Sequence, residues 1–97
     1  GAFVIPAGQA VSNEVSTQLR DADNFIVTPP ATLPEADIQL QHWNGSSWSY
    51  YDATNLAAGV DNYKIYEARG LKYRLSKRAA TVAAERTFEI VKRVGNE

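Results

Sequence analysis

The central segment Asp37–Asp52 (DIQLQHWNGSSWSYYD) constrains the fold of this chain more than any other stretch. Ile38 and Leu40 alternate with glutamines before the pair Asn44-Gly45, and a second run rich in aromatic residues follows. Asn-Gly between two alternating runs is a strong signal for a tight turn with positive backbone φ. The segment therefore predicts an antiparallel β-hairpin.

Short alternating runs separated by turn residues continue on both sides of this hairpin. Besides its two arms, we expect strands at Ala2–Ile5, at Val11–Leu19, around Phe25 and Val27, around Tyr63 and Ile65, at Leu71–Leu75 and at Arg86–Val94. We expect loops at Thr28–Ala36, at Ala53–Val60 (with room for one helical turn) and at Lys77–Glu85. This spacing predicts an all-β fold, a single domain spanning residues 1–97. Its architecture is an antiparallel two-sheet β-sandwich, jelly-roll or Ig-like, with about eight short strands.

Charge is distributed unevenly along the chain. Residues 1–63 contain seven acidic residues and one basic residue, a net charge of −6, whereas residues 64–97 contain nine basic and four acidic residues, a net charge of +5. One interpretation is that neighbouring strands from the two halves pair their charges within one molecule. The other is that acidic and basic faces steer copies of the protein, or a partner, into contact. With a pI near 5.8 and no aromatic platform recognisable in the basic half, we expect no nucleic-acid binding. No apolar run is long enough for a membrane helix.

The sequence offers little for catalysis. His42 is the only histidine and there is no cysteine, so a zinc site or a thiolate nucleophile is not expected. Ser46, Ser47 and Ser49 sit in and beside the predicted turn, where hydroxyl groups bond to local backbone. We therefore predict that the protein is not an enzyme and binds no cofactor or metal.

Trp43, Trp48, Tyr50 and Tyr51 allow two interpretations. Alternate members could fill the sandwich core and fix strand register. Alternatively, some lie on an exposed face and contact sugar rings or a neighbouring subunit. Because the two tryptophans flank the turn, we expect at most one to point fully inward, which leaves one indole for a contact.

Four segments, in this order, resemble the small β-sandwich structural proteins of tailed-bacteriophage virions. They are FVIPAGQAVS, QLQHWNGSSWSYYD, GLKYRLSKR and AERTFEIVKR, and together they span most of the chain. The resemblance implies a capsid decoration or cement protein that stabilises the head by binding its exterior as an oligomer. An alternative implied role is a tail-associated or receptor- or carbohydrate-binding module.

The resemblance also implies partners and a location. The partners would be the protein itself, as a dimer or trimer, and the major capsid protein or a tail protein. The location would be the virion, after assembly in the cytoplasm of the bacterial host. The residues that we expect to bind partners are Trp43, Trp48, Tyr51, Lys77 and Arg78.

Overall fold

The computed structural model describes residues 1–16, 24–61, 63–64 and 72–93. Eight strands lie in these ranges: β1 Ala2–Ile5, β2 Val15–Ser16, β3 Asn24–Thr28, β4 Ile38–Trp43, β5 Trp48–Tyr50, β6 Tyr63–Lys64, β7 Lys72–Lys77 and β8 Arg86–Arg93. The described ranges contain no helix, and hence none that could cross a bilayer. The expected all-β class is confirmed.

The strands form two four-stranded antiparallel sheets. The first sheet has the order β1-β8-β3-β6 and the second the order β2-β7-β4-β5. β1 pairs with β8, β2 with β7, β3 with β6 and β4 with β5, as if one long hairpin had been rolled up around its own axis. This is the jelly-roll arrangement, one of the two sandwich types expected from the sequence. The central hairpin is the tip of the roll.

The core lies between the two sheets and is formed by alternate residues of the longer strands. Its fully buried members are Phe3, Ile5, Phe25, Val27, Ile38, Leu40, Leu56, Tyr73, Leu75, Val82 and Phe88. Phe25 of the first sheet meets Tyr73 of the second edge-to-face, with ring centroids 5.2 Å apart. Such a pair stabilises beyond the area it buries, and here it joins the two layers.

Two core residues come from segments that the sequence indicated as loops. Leu56 is 1% exposed, and its backbone N–H donates to the carbonyl of Ile38 at 2.9 Å. Val82, in the loop between β7 and β8, is equally buried and is bonded through its backbone to Gly8 and Gln9. The helical turn that we allowed at Ala53–Val60 does not form. The connector is irregular and ends in a β-turn in which the backbone N–H of Val60 donates to the carbonyl of Ala57 at 3.2 Å.

Other sequence predictions extend beyond the described residues. The strand expected at Val11–Leu19 is described only to residue 16, where Val15–Ser16 pairs with β7 and Val11 forms an isolated bridge with Ser76. Ile65 and Leu71 lie outside the described residues. The strands expected at the two ends of the chain are confirmed at Ala2–Ile5 and Arg86–Arg93.

The turn lies at Asn44-Gly45, between the two tryptophans, as expected, but only one residue of that pair has a positive φ. Trp43 pairs with Trp48, so the loop contains four residues, and only Gly45 adopts a positive φ, of 100°. The Asn44 side chain accepts the backbone N–H groups of Ser46 and Ser47, both at 2.9 Å. Asn44 therefore organises the turn through its side chain rather than by adopting the left-handed conformation.

The outer edge of β1 is covered by a side chain. Asn13 Oδ1 accepts the backbone N–H of Val4 at 2.7 Å, and Asn13 Nδ2 donates to the carbonyl of Ala2 at 3.2 Å. The backbone N–H of Asn13 also donates to the carbonyl of Val4. One asparagine thus occupies the hydrogen-bonding groups that an added strand would use.

Three ion pairs join the acidic half of the chain to the basic half. They are Lys72 with Glu14 at 3.5 Å, Lys77 with Asp37 at 2.8 Å and Arg86 with Glu35 at 2.9 Å. The first of the two interpretations of the charge asymmetry, pairing within one molecule, is confirmed for these residues.

Candidate functional site

The outer face of the second sheet carries aromatic and cationic side chains. On β4 and β7 the inward positions are Leu40 and Leu75, so the alternate positions point away from the core. Together with those of β5 and with Arg78 they place nine side chains on one surface, which we call the aromatic–arginine face: Gln39, Gln41, Trp43, Trp48, Tyr50, Lys72, Arg74, Ser76 and Arg78. Arg78 directly follows β7, and its guanidinium lies over the ring of Tyr50 on this face.

Trp43 and Trp48 form a direct cross-strand pair at the end of the hairpin. Their ring centroids are 5.6 Å apart and the rings are tilted by 58°. Both indoles are half-buried and neither belongs to the core. The interpretation that these aromatic residues fill the core is therefore wrong for Trp43, Trp48 and Tyr50, and two indoles, not one, lie on the outside.

Arg74 connects two strands across this face. Its guanidinium carbon lies 4.2 Å from the centroid of Trp48, and its Nε donates to Gln41 Oε1 at 2.7 Å. Gln41 is only 7% exposed, so its amide is held in place beneath the arginine. A guanidinium stacked on an indole and bonded through Nε keeps its terminal N–H groups available in one orientation.

Arg78 repeats the arrangement one step along the sheet. Its guanidinium carbon lies 4.5 Å from the centroid of Tyr50, and its Nη1 donates to Gln39 Oε1 at 3.1 Å. Gln39, 4% exposed, is itself fixed because its Nε2 donates to Asn55 Oδ1 at 2.8 Å and to the carbonyl of Ala53 at 3.2 Å. The connector after β5 thus sets the position of the second arginine.

Five cationic side chains that the structure describes fall into two groups. Lys72, Lys77 and Arg86 are each paired with a carboxylate. Arg74 and Arg78 instead bond to neutral glutamine oxygens, and neither has a carboxylate within ion-pair distance in the part of the chain that the structure describes. The positive charge of these two arginines is therefore not compensated within the described molecule.

Three of the five residues expected to bind partners lie together on this face: Trp43, Trp48 and Arg78. Lys77 is on the core side of β7, where its ammonium group binds both oxygens of Asp37. Tyr51 follows β5 and is 39% exposed, with its ring 6.1 Å from that of His42. The structure thus does not place Lys77 with the two tryptophans.

Sequence reasoning missed Arg74 and the two glutamines. The signal for them was the strict alternation of both strands, since Gln39 and Gln41 alternate with core residues on β4, as Arg74 does on β7. Alternation along a strand indicates which side of the sheet a residue faces, but not which residue of the next strand lies beside it. Gln41 and Arg74 are 33 positions apart in the chain, and only the register joins them.

Groups suited to catalysis are not assembled in the described residues. His42 has a ring contact with Tyr51 and no hydrogen bond to a carboxylate among them. No group of three or more potential metal ligands occurs in the same ranges. One surface depression lies over residues 4–13, and another between residues 33–36 and 55–58. The second contains Glu35, which is already bound to Arg86 through two hydrogen bonds.

Among the groups that the structure describes, burial and pairing shift four pKa values, all outside the aromatic–arginine face. Hydrogen bonds from Arg86 lower the pKa of Glu35, and the reciprocal bond raises that of Arg86. A hydrogen bond from Lys77 lowers the pKa of Asp37. Burial in the core, with a smaller effect of Tyr51, raises the pKa of Tyr73 to about 12. These groups are parts of the scaffold.

No protein-family model, curated protein or solved structure matches this chain. The fold, the geometry of the aromatic–arginine face and the sequence resemblance are therefore the basis for a functional proposal.

Proposed function

We propose that this protein is a non-catalytic docking protein, and specifically a bacteriophage virion structural protein. In this proposal it acts as a capsid decoration or cement protein that binds the head exterior as an oligomer. The docking role is supported by one observation above all, the concentration of tryptophan, tyrosine and arginine on the aromatic–arginine face. The virion assignment is supported by the four sequence segments that resemble phage structural proteins.

The composition of the face favours a protein partner. Tryptophan, tyrosine and arginine are the residue types most enriched at energetically dominant positions of protein interfaces. Trp48 and Tyr50 are half-buried and each is covered on one side by a guanidinium, so their positions are set before a partner arrives. A surface ordered in this way loses little side-chain entropy on binding.

A carbohydrate-binding module is the second candidate. The observation that favours it is the adjacent pair Trp43 and Trp48, because neighbouring indoles can stack on sugar rings. The observation against it is that Arg74 already lies over Trp48, and that Lys72 lies 5.9 Å from the centroid of Trp43. Jelly rolls occur in both viral capsid proteins and lectins, so the fold alone does not choose between the two.

The direct test is assembly and capsid binding by the purified protein. Sedimentation velocity at low and high salt should show an oligomer that weakens as salt is added. Co-sedimentation with heads of the phage that encodes the chain should show saturable binding. Trp48→Ala should reduce both signals, because it removes the central aromatic contact of the face.

Val91→Ala is the matched control. Val91 is 54% exposed on the outer side of the first sheet, so its truncation removes apolar surface of a similar kind on the opposite side of the molecule. It should leave assembly and head binding unchanged. A strict monomer at high concentration and low salt, with no binding to heads, would refute the proposal. Saturable quenching of tryptophan fluorescence by a saccharide would favour the second candidate.

A further inference from the structure

The aromatic–arginine face contains two arginines prepared for an acceptor that the described chain does not supply. Arg74 and Arg78 are each stacked on an aromatic ring and each bonded to a buried glutamine. A guanidinium carries five N–H donors, and each described bond uses one of them. The remaining donors have no described carboxylate partner.

The choice of glutamine rather than glutamate beneath these arginines is informative. At Lys72, Lys77 and Arg86 a carboxylate pairs with the cation, as Glu35 does with Arg86. At Arg74 and Arg78 the neutral amide fixes the orientation of the guanidinium and leaves its charge intact. An amide that orients a guanidinium without neutralising its charge is suited to a binding site for a negatively charged ligand.

From this geometry we infer that the face binds carboxylate side chains of an acidic segment in a partner protein, through the free N–H groups of Arg74 and Arg78. Trp43 and Trp48 would provide the adjoining apolar contact. The inference rests on the proposed docking function and adds the chemistry of the partner. It does not depend on whether that partner belongs to a capsid.

Two observations favour carboxylates of a protein over phosphates of a nucleic acid. The whole chain has a formal charge of −1, and the described cations on this face besides the two arginines amount to Lys72, which is paired with Glu14. Nucleic-acid affinity depends chiefly on the number of phosphates neutralised, and two arginines neutralise few. The rings of Trp48 and Tyr50, which would stack on bases, are each already covered on one side by a guanidinium.

The test uses nuclear magnetic resonance, because it observes the arginine and tryptophan side chains of the proposed site directly. Arginine Nε–H and indole N–H resonances of the folded, isotope-labelled protein are followed during titration with a capped hexaglutamate peptide at about 20 mM salt. We expect saturable shifts of the Arg74 and Arg78 Nε–H and Trp48 indole resonances. A capped hexaglutamine peptide should cause none, and about 300 mM salt should weaken the response.

Arg74→Gln/Arg78→Gln should lower the affinity for hexaglutamate by about tenfold or more, since charge-assisted bonds are the strong ones. The matched control is Lys64→Gln/Arg93→Gln, which removes the same charge from β6 and β8 of the first sheet and should leave the titration unchanged. Arg74→Lys/Arg78→Lys keeps the charge and, if the glutamine double variant does not fold, should still show weakened binding because the planar fork is lost.

Several results would overturn the inference. These are the absence of shifts with hexaglutamate in the folded wild-type protein, shifts confined to other residues, or equal loss in the Lys64→Gln/Arg93→Gln control. Tight binding of a ten-nucleotide oligothymidylate in place of hexaglutamate would assign the face to nucleic acid. Assembly and head binding are measured separately, so the docking function can survive if only the carboxylate chemistry fails.

Discussion

Leu56 should be as important for stability as a residue of a central strand, although it lies in a connector. Its side chain is 1% exposed and is part of the core between the sheets. Leu56→Ala removes three carbons, which at about 0.8 kcal/mol each gives about 2.4 kcal/mol, and the remaining cavity adds to that loss. We expect the free energy of unfolding to fall by about 3 kcal/mol, a large part of the stability of a domain of this size.

The measurement is urea denaturation followed by circular dichroism, together with thermal melting. A loss of about 3 kcal/mol corresponds to a fall in Tm of roughly 12 to 24 °C for a domain of this length. The urea m-value should stay the same if only the folded core is affected. Val60→Ala, in the same connector but 47% exposed, should change stability by less than about 0.5 kcal/mol. If Leu56→Ala were as mild as Val60→Ala, the connector would not reach the core and the packing argument would be refuted.

Three further predictions concern the scaffold and the tryptophan pair. Arg86 lowers the pKa of Glu35 in the folded protein. The Glu35–Arg86 pair therefore stabilises the fold at pH values above the pKa of Glu35 in the unfolded state, and this stabilisation is lost as pH falls through the lower pKa of the folded state. Glu35→Gln should therefore flatten the acid limb of a Tm-against-pH curve, and an unchanged limb would contradict the pairing. Burial raises the pKa of Tyr73 to about 12. The buried, protonated phenol therefore contributes fully to stability below about pH 10, the pKa of an exposed tyrosine, and this contribution is lost as pH rises toward 12. Ultraviolet titration of the folded protein should show a late-titrating phenol that is lost in Tyr73→Phe, and identical titration curves for the two proteins would refute the burial of Tyr73. For Trp43 and Trp48, a double-mutant cycle of alanine variants should give a coupling of about 0.5 to 1.5 kcal/mol in urea unfolding, whereas additive losses would show that the rings do not interact.

The fold could be predicted from the sequence because alternation and turn residues determine it locally. Ile38 and Leu40 alternate with glutamines, and Asn44-Gly45 marks the turn, so both arms of the hairpin were found. The contribution of Leu56 could not be found in this way. Leu56 and Val60 are the only large apolar residues of the connector, and two residues do not establish a period.

The aromatic–arginine face could be predicted only in part. Large aromatic residues near a turn fit a core as well as a surface, and on the surface Trp48 is covered by the guanidinium of Arg74. That contact depends on the register between β4 and β7, which are adjacent in the sheet but distant in sequence. Alternation separates the two sides of each strand, whereas the three-dimensional fold determines which side faces the core and which residues become neighbours.

Asn13 has a consequence for how the protein can associate without aggregating. A strand edge with unpaired backbone N–H and C=O groups can pair with a strand of another molecule, and such pairing readily starts fibrils when a protein is abundant. The Asn13 side chain bonds to the edge-facing backbone groups of Ala2 and Val4. Two molecules therefore cannot pair strands through this edge to form one continuous sheet. In the proposed oligomer, copies would therefore have to meet through surfaces other than this edge.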